Sequence, residues 1–236
     1  MATGAHARDG GMTTARDNIL ATIRRSLGVT GKEAIRRDIV AERLRRTPKG
    51  VIPERGQLAG AELLALFRAQ AEATFATVAE VESTIDVPEA IAGFLRGHNL
   101  PASLRMGNDL RLRAMPWGET FLEVAQGPSD GHDLNAVSHA FGGVAETGTL
   151  IMTSGSENPS NLNFLPDNHI VVLSAKDIAG DYETIWDKLR IAYGCGLMPR
   201  TVNMITGPSR SADIEQTLLL GAHGPRRLHI VIVKAA

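Results

Sequence analysis

The stretch TVNMITGPSRSADIEQTLLLG, residues 201–221, decides how the chain is read. TVNMIT has the apolar character of a buried central strand, Gly207-Pro208 marks a turn, and ADIEQTLLLG carries helical periodicity. A strand that hands over to a helix through small polar residues is the repeating joint of an α/β protein. Asp213 with Gln216 three residues on matches a variant capping box, and Ser211 competes for the cap. Free amides at a helix start attract anions, and Arg210 adds a full positive charge beside them. Gly207 lets the backbone approach a ligand closely. On this reading Gly207, Ser209, Arg210, Ser211 and Asp213 form an anion-binding corner, at the strand ends where open α/β sheets bind ligands. A tight turn with an ordinary cap explains the same residues without a ligand.

Working outward, TVAEV, SLRMG, TLIMTS, HIVVLSA and LHIVIV are further strand candidates, several too uniformly apolar for one exposed face. Helical patterns lie between many of them: GAELLALFRAQAEATFA, VPEAIAGFLRGH and YETIWDKLRIAYG. The expected fold class is α/β, a Rossmann-like, mainly parallel sheet with flanking helices and an N-terminal helical extension. Residues 1–11 lack periodicity and are expected to be disordered, with Met12 a candidate start. In residues 12–57 an amphipathic helix (Ile19, Ile23, Leu27), capped by Thr13 or Thr14 and closed by Gly28, precedes a basic, solvated helix and an extended arm. Residues 58–236 form the α/β domain.

Two other stretches carry candidate chemistry. In FGGVAETGTLIMTSGSENPSNLNFLPDNH, Glu146 sits among small apolar residues, followed by Thr147, Gly148 and Thr149. Such a carboxylate acts as acid, base or nucleophile, or pairs with a buried cation such as Arg210. The loop from Ser154 to Asn163 is a mobile cover, and Asn161, Asn163 and His169 bring polar side chains together after it. In GAHGPRRLHIVIV, His223 and Gly224 turn the chain into the last strand. His223 donates to a ligand anion or works in acid–base chemistry, or is held as a turn residue by a backbone carbonyl. His139, in AVSHAFGGV, has similar standing.

Composition excludes several classes. The chain has 236 residues, 25 Lys and Arg against 26 Asp and Glu, and 4% aromatics. That balance predicts no general affinity for nucleic acid. Cys195 is the one cysteine, so no disulfide framework, zinc cluster or iron–sulfur cluster can be held by this chain alone. There is no H-E-x-x-H, Walker loop or G-x-G-x-x-G, and metal binding is not expected. No run of 18 apolar residues and no signal-peptide stretch is present, which points to a cytoplasmic protein without a membrane span.

GGVAETGTLIM, LPDNHIVVLSA, TGPSRSADIE and GAHGPRRLHIVIV, in this order, resemble the lactate-utilisation protein C family, the LUD-domain proteins. The resemblance extends over nearly the whole chain from Met12, with Ser211 standing where the family pattern has threonine. It implies a fold like that of sugar-phosphate isomerases and CoA transferases, and a role in oxidising L-lactate to pyruvate. It also implies two cysteine-rich partner proteins that carry the iron–sulfur clusters. This chain would then hold no cofactor and bind a small anion such as lactate. The alternative is a self-sufficient acyl- or phosphoryl-handling enzyme, since Glu146-Thr147-Gly148 looks like the Glu-x-Gly of CoA transferases.

Overall fold

A computed structural model describes residues 14–194, 196–212 and 218–235. The expectations placed on residues 1–11, Met12, Thr13, Cys195, Asp213 and Gln216 lie outside the described residues. The chain divides between Lys49 and Gly50 into two units. In the first, helix α1 spans Ala15–Ser26 and α2 spans Ala34–Arg46. Thr14 starts α1 because its hydroxyl accepts from the Asp17 amide (3.3 Å) while the Asp17 carboxylate takes the Thr14 amide and hydroxyl. Leu27 caps the far end, and Gly28 follows at φ +63°.

The second unit holds α3 (Gly60–Ala73), β1 (Thr77–Ser83), α4 (Val87–Gly97), β2 (Ser103–Met106), α5 (Leu110–Arg113), β3 (Glu123–Gln126) and β4 (Asn135–His139). It continues with β5 (Gly142–Val144), β6 (Thr149–Thr153), β7 (Asn168–Ser174), β8 (Ile178–Ala179), α6 (Tyr182–Tyr193) and β9 (Val202–Ile205). The last strands are β10 (Arg210–Ala212), β11 (Leu218–Leu220) and β12 (Arg227–Ala235).

Six strands make one sheet in the order β1-β12-β7-β4-β2-β3, and every pairing in it is parallel. The fold class is therefore α/β with a parallel sheet flanked by helices. HIVVLSA and LHIVIV become β7 and β12 at its centre because their side chains are apolar on both faces. Ile170, Val172, Val231 and Val233 face α4 and α5, where Ile91, Leu95 and Leu112 cover them. Val171, Leu173, Ile230 and Ile232 face α3, through Phe67 and Ala71, together with Leu150 and Met152. Each such fully buried large side chain stabilises the fold by about 1.5–3 kcal/mol.

Leu150 and Met152 belong to a second sheet, ordered β8-β5-β6-β9, which the sequence did not reveal. Both β6 and β9 were expected in the main sheet. They instead pair antiparallel with each other, Leu150 opposite Ile205. The physical reason lies in β9. Its Ile205 packs on the core while Met204 is 41% exposed, an exposure that an edge strand allows and a central one does not. Helix α6 closes the outer face of this sheet, with Ile185 and Leu189 packed on Val144 and Ile151.

The expected helix ADIEQTLLLG is corrected at its two described ends. Residues 210–212 and 218–220 are strands β10 and β11, paired antiparallel with Ser211 opposite Leu219. Cross-strand pairing outcompetes helical propensity here, as tertiary context often does over a short segment.

Strand β4 was missed because its sequence, NAVSH, is largely polar, yet all five residues are buried. Asn135 explains how. Its Nδ2 donates to the Pro101 and Ser103 carbonyls, both at 3.0 Å, and its Oδ1 accepts from Asn168 Nδ2 at 2.9 Å. One amide side chain thus ties the starts of β2, β4 and β7. No helix among the described residues is long and apolar enough to cross a membrane.

Candidate functional site

A cleft of about 230 Å³ opens between the parallel sheet and the free edge of the second sheet. Asn163 and Phe164 reach it from the segment after β6, and His169 and Leu228 from β7 and β12. Residues 204–209, ending β9 and turning away from it, form another wall, and His223, Gly224 and Pro225 complete it. His169 and Leu228 stand at the amino ends of their strands, so the cleft lies at the opposite end of the parallel sheet from the expected carboxyl ends.

Three of the buried polar atoms on its lining residues are uncommitted. Asn163 is 1% exposed, and neither its Nδ2 nor its Oδ1 has a hydrogen-bond partner. His169 contacts Ser138 Oγ through Nε2 (3.1 Å), while its Nδ1 has none. Burial pushes the His169 imidazole down to about 3, so it is neutral at physiological pH. Native proteins leave few buried polar groups unpaired, and such groups ask for an explanation. Others lie elsewhere among the described residues, but the three on Asn163 and His169 belong to residues that line one cleft, which fits a ligand that completes them.

Of the residues predicted from sequence, Gly207, Ser209, His223 and Gly224 line this cleft. Ser209 pins the turn together. Its amide donates to the Pro225 carbonyl (2.8 Å), its carbonyl accepts from the Gly221 amide (3.0 Å), and its Oγ accepts from the His223 amide (3.3 Å). His223 itself is exposed. Gly207 has φ +71°, and a Cβ there would fall on the Thr74 carbonyl. The close approach it permits is to the protein's own backbone.

Arg210 does not line the cleft. Its guanidinium lies 4.3 Å from the centroid of the Phe75 ring, and Nη2 donates to the Thr74 carbonyl at 3.4 Å. Ser211, expected at a helix start beside Arg210, stands in strand β10.

Glu146, Thr147, Gly148 and Thr149 form a second group, at the connection of β5 and β6. Glu146 is 4% exposed, donates its amide to the Gly180 carbonyl (3.2 Å), and leaves its Oε2 without a partner. Among the described residues no ion pair joins it to Arg210. Gly148, at φ +65°, lies against the backbone of α3, where a Cβ would strike the Ala71 amide nitrogen. Thr147 and Thr149 bond through their hydroxyls (2.7 Å), and Thr149 bonds on to Thr206 (2.7 Å), a residue of the cleft wall. The two groups are therefore linked.

His139 stands at the carboxyl end of β4, away from the cleft, with Nδ1 on the Ala140 carbonyl (2.8 Å). Burial, then the charge of Arg111, lowers its pKa. Asp109, in the turn after β2, grips Arg111 through both carboxylate oxygens, at 3.0 and 2.6 Å. Sequence reading passed over this pair, although Gly-Asn-Asp directly after a strand was available as a signal. Among the described residues no cluster of three metal-ligating side chains occurs.

Residues 135–233, which hold the cleft and the Glu146 turn, match the LUD domain family. An uncharacterised protein of Neisseria meningitidis is 35% identical over 91 residues, 39% of this chain and 38% of its own length. Lactate utilization protein C of Halalkalibacterium halodurans is 30% identical over 118 residues, covering 50% of this chain and 49% of that protein. Its Bacillus subtilis namesake is 33% identical over 91 residues, 38% of each. The matched stretch thus spans less than half the length of these relatives. A crystal structure of a DUF162 family protein from Deinococcus radiodurans shares the fold, with a TM-score of 0.55 and 20% identity over 75% of this chain and 99% of that one. Asp109 and Arg111 fall outside the matched segment, whereas Asn163, His169, Thr206 and His223 fall within it.

Proposed function

We propose that this chain is a lactate-utilisation protein that binds a small 2-hydroxy or 2-oxo carboxylate in the cleft between its sheets. In this reading it is the non-redox subunit of a complex that oxidises L-lactate to pyruvate. The two electrons pass to iron–sulfur clusters in two cysteine-rich partner proteins. The observation that carries the reading is the set of unbonded buried atoms on two residues that line the cleft, Asn163 Nδ2 and Oδ1 and His169 Nδ1. Asn163 offers both donor and acceptor, and neutral His169 offers either, according to its tautomer. Met204, Ile205 and Leu228 supply apolar wall for a methyl group. At about 230 Å³ the cleft is smaller than the roughly 300–1,000 Å³ of drug-sized sites, which suits a three-carbon acid. The names of the matched relatives support the same pathway. A single cysteine in the sequence supports clusters held elsewhere.

Calorimetric titration with L-lactate and pyruvate tests the binding step, and capture of iron-containing proteins on the tagged chain tests the complex. Saturable binding of either acid is expected, and no heat with either ligand at millimolar concentration refutes the cleft reading.

The acyl-transfer alternative draws on one observation, the unpartnered Oε2 of Glu146. Attack of that carboxylate on an acyl-CoA would form a mixed anhydride and release the CoA thiol. Mass spectrometry of the chain after incubation with acetyl-CoA distinguishes it: an acyl adduct on Glu146 establishes this chemistry, and an unmodified chain removes it.

A further inference from the structure

Four hydroxyl groups meet where β6, β9 and α6 come together. Thr147 Oγ1 lies 2.7 Å from Thr149 Oγ1 and 3.1 Å from the Tyr182 hydroxyl. Thr149 Oγ1 lies 2.9 Å from that same hydroxyl and 2.7 Å from Thr206 Oγ1. Thr147, Thr149 and Tyr182 therefore close a ring of three bonds, and Thr206 hangs from it by a fourth. Each hydroxyl has one proton to donate. The ring's three bonds consume the three protons of its members, whichever way round the ring they run. The fourth bond can then be made only with the proton of Thr206. Thr149 ends with one donation and two acceptances, its full capacity.

Thr206, which is exposed and lines the cleft, is left with lone pairs and no free proton. A hydroxyl group on a bound ligand can donate to it. A keto oxygen cannot, and meets a lone pair instead. We propose that the cleft selects a 2-hydroxy acid over the corresponding 2-oxo acid, with Thr206 accepting from the ligand hydroxyl and Thr147, Thr149 and Tyr182 as positioning residues that fix its polarity. The proposal rests on the cleft reading above and adds the discrimination to it. A site built to pair a substrate hydroxyl disfavours the analogue that cannot pair.

The test is a set of titrations with two probes, L-lactate and pyruvate. The intact protein binds lactate at least about fivefold more tightly than pyruvate, the worth of one ordinary hydrogen bond. Tyr182→Phe opens the ring, so that Thr149 can donate to Thr206 and free the Thr206 proton. The preference then falls toward one. Thr149→Val, which removes the bond altogether, does the same by a second route, and Thr149→Ser restores the preference. Thermal unfolding of each variant separates this change of ratio from loss of fold. Equal affinity for both acids in the intact protein, or an unchanged ratio in folded Tyr182→Phe and Thr149→Val, overturns the proposal and leaves the cleft reading standing. Binding of neither acid overturns both.

Discussion

At position 163 an amide lies buried with its nitrogen and oxygen both unbonded, a condition that costs about 1–3 kcal/mol per group. Asn163→Leu, close in volume, removes that cost and with it two ligand contacts. The expected outcome is a melting temperature equal to or above that of the wild type and lactate binding weakened by about tenfold or more. A lower melting temperature would show that the amide serves the fold. Glu146 invites the parallel substitution. Since no described partner holds its Oε2, Glu146→Gln should keep the protein folded while lactate-dependent growth is lost. Unchanged growth would make Glu146 dispensable. The buried histidines set a pH dependence. Burial holds His169 at about 3 and His229 at about 4, against an ordinary value of 6.5. Between these limits the unfolded chain binds protons that the native one refuses, so stability rises with pH there. This contribution is complete above pH 6.5 and is lost as pH falls toward 3. Urea midpoints should therefore drop from pH 7.5 to pH 5, and less steeply in His169→Gln, by about 1.4 kcal/mol per pH unit for each proton removed.

Among the elements, the β5–β6 connection depends most on one residue. Gly148 combines a left-handed backbone with contact against α3, so Gly148→Ala should cost about 2–4 kcal/mol, strain and overpacking together. Chemical denaturation measures this directly, and a loss below about 0.5 kcal/mol would mean that α3 shifts freely. β7 and β12 were legible as strands because both their faces are apolar. β4 was not, since its polar side chains find partners only across neighbouring strands. The hydroxyl ring was illegible for a related reason. Thr149, Tyr182 and Thr206 are far apart in sequence, and no spacing announces that three elements will bring their oxygens together.

For the whole molecule, every member of the three hydrophobic clusters lies beyond residue 60. Helices α1 and α2 bury none of their residues. Residues 50–236 should consequently fold alone, with a melting temperature within about 4 °C of the full chain, the shift that one kcal/mol produces at this size. A larger drop on removing residues 1–49 would reveal a stabilising role that burial does not show.

The sequence by itself determined the α/β class, the central strands, five of the helices (α1, α2, α3, α4 and α6), and the segments that contribute to the cleft. Those properties follow from local periodicity and from turn chemistry, which act over a few residues. Tertiary structure alone decided that TVNMIT joins a second sheet, that residues 210–212 and 218–220 pair as strands, and that Arg210 stacks on Phe75. It also decided which end of the parallel sheet carries the cleft. Each of these depends on which distant strand or side chain supplies the partner. Pairing across the chain is a property of the packed molecule, and segments as short as residues 210–212 and 218–220 carry too little periodicity to choose between helix and strand until a neighbour does.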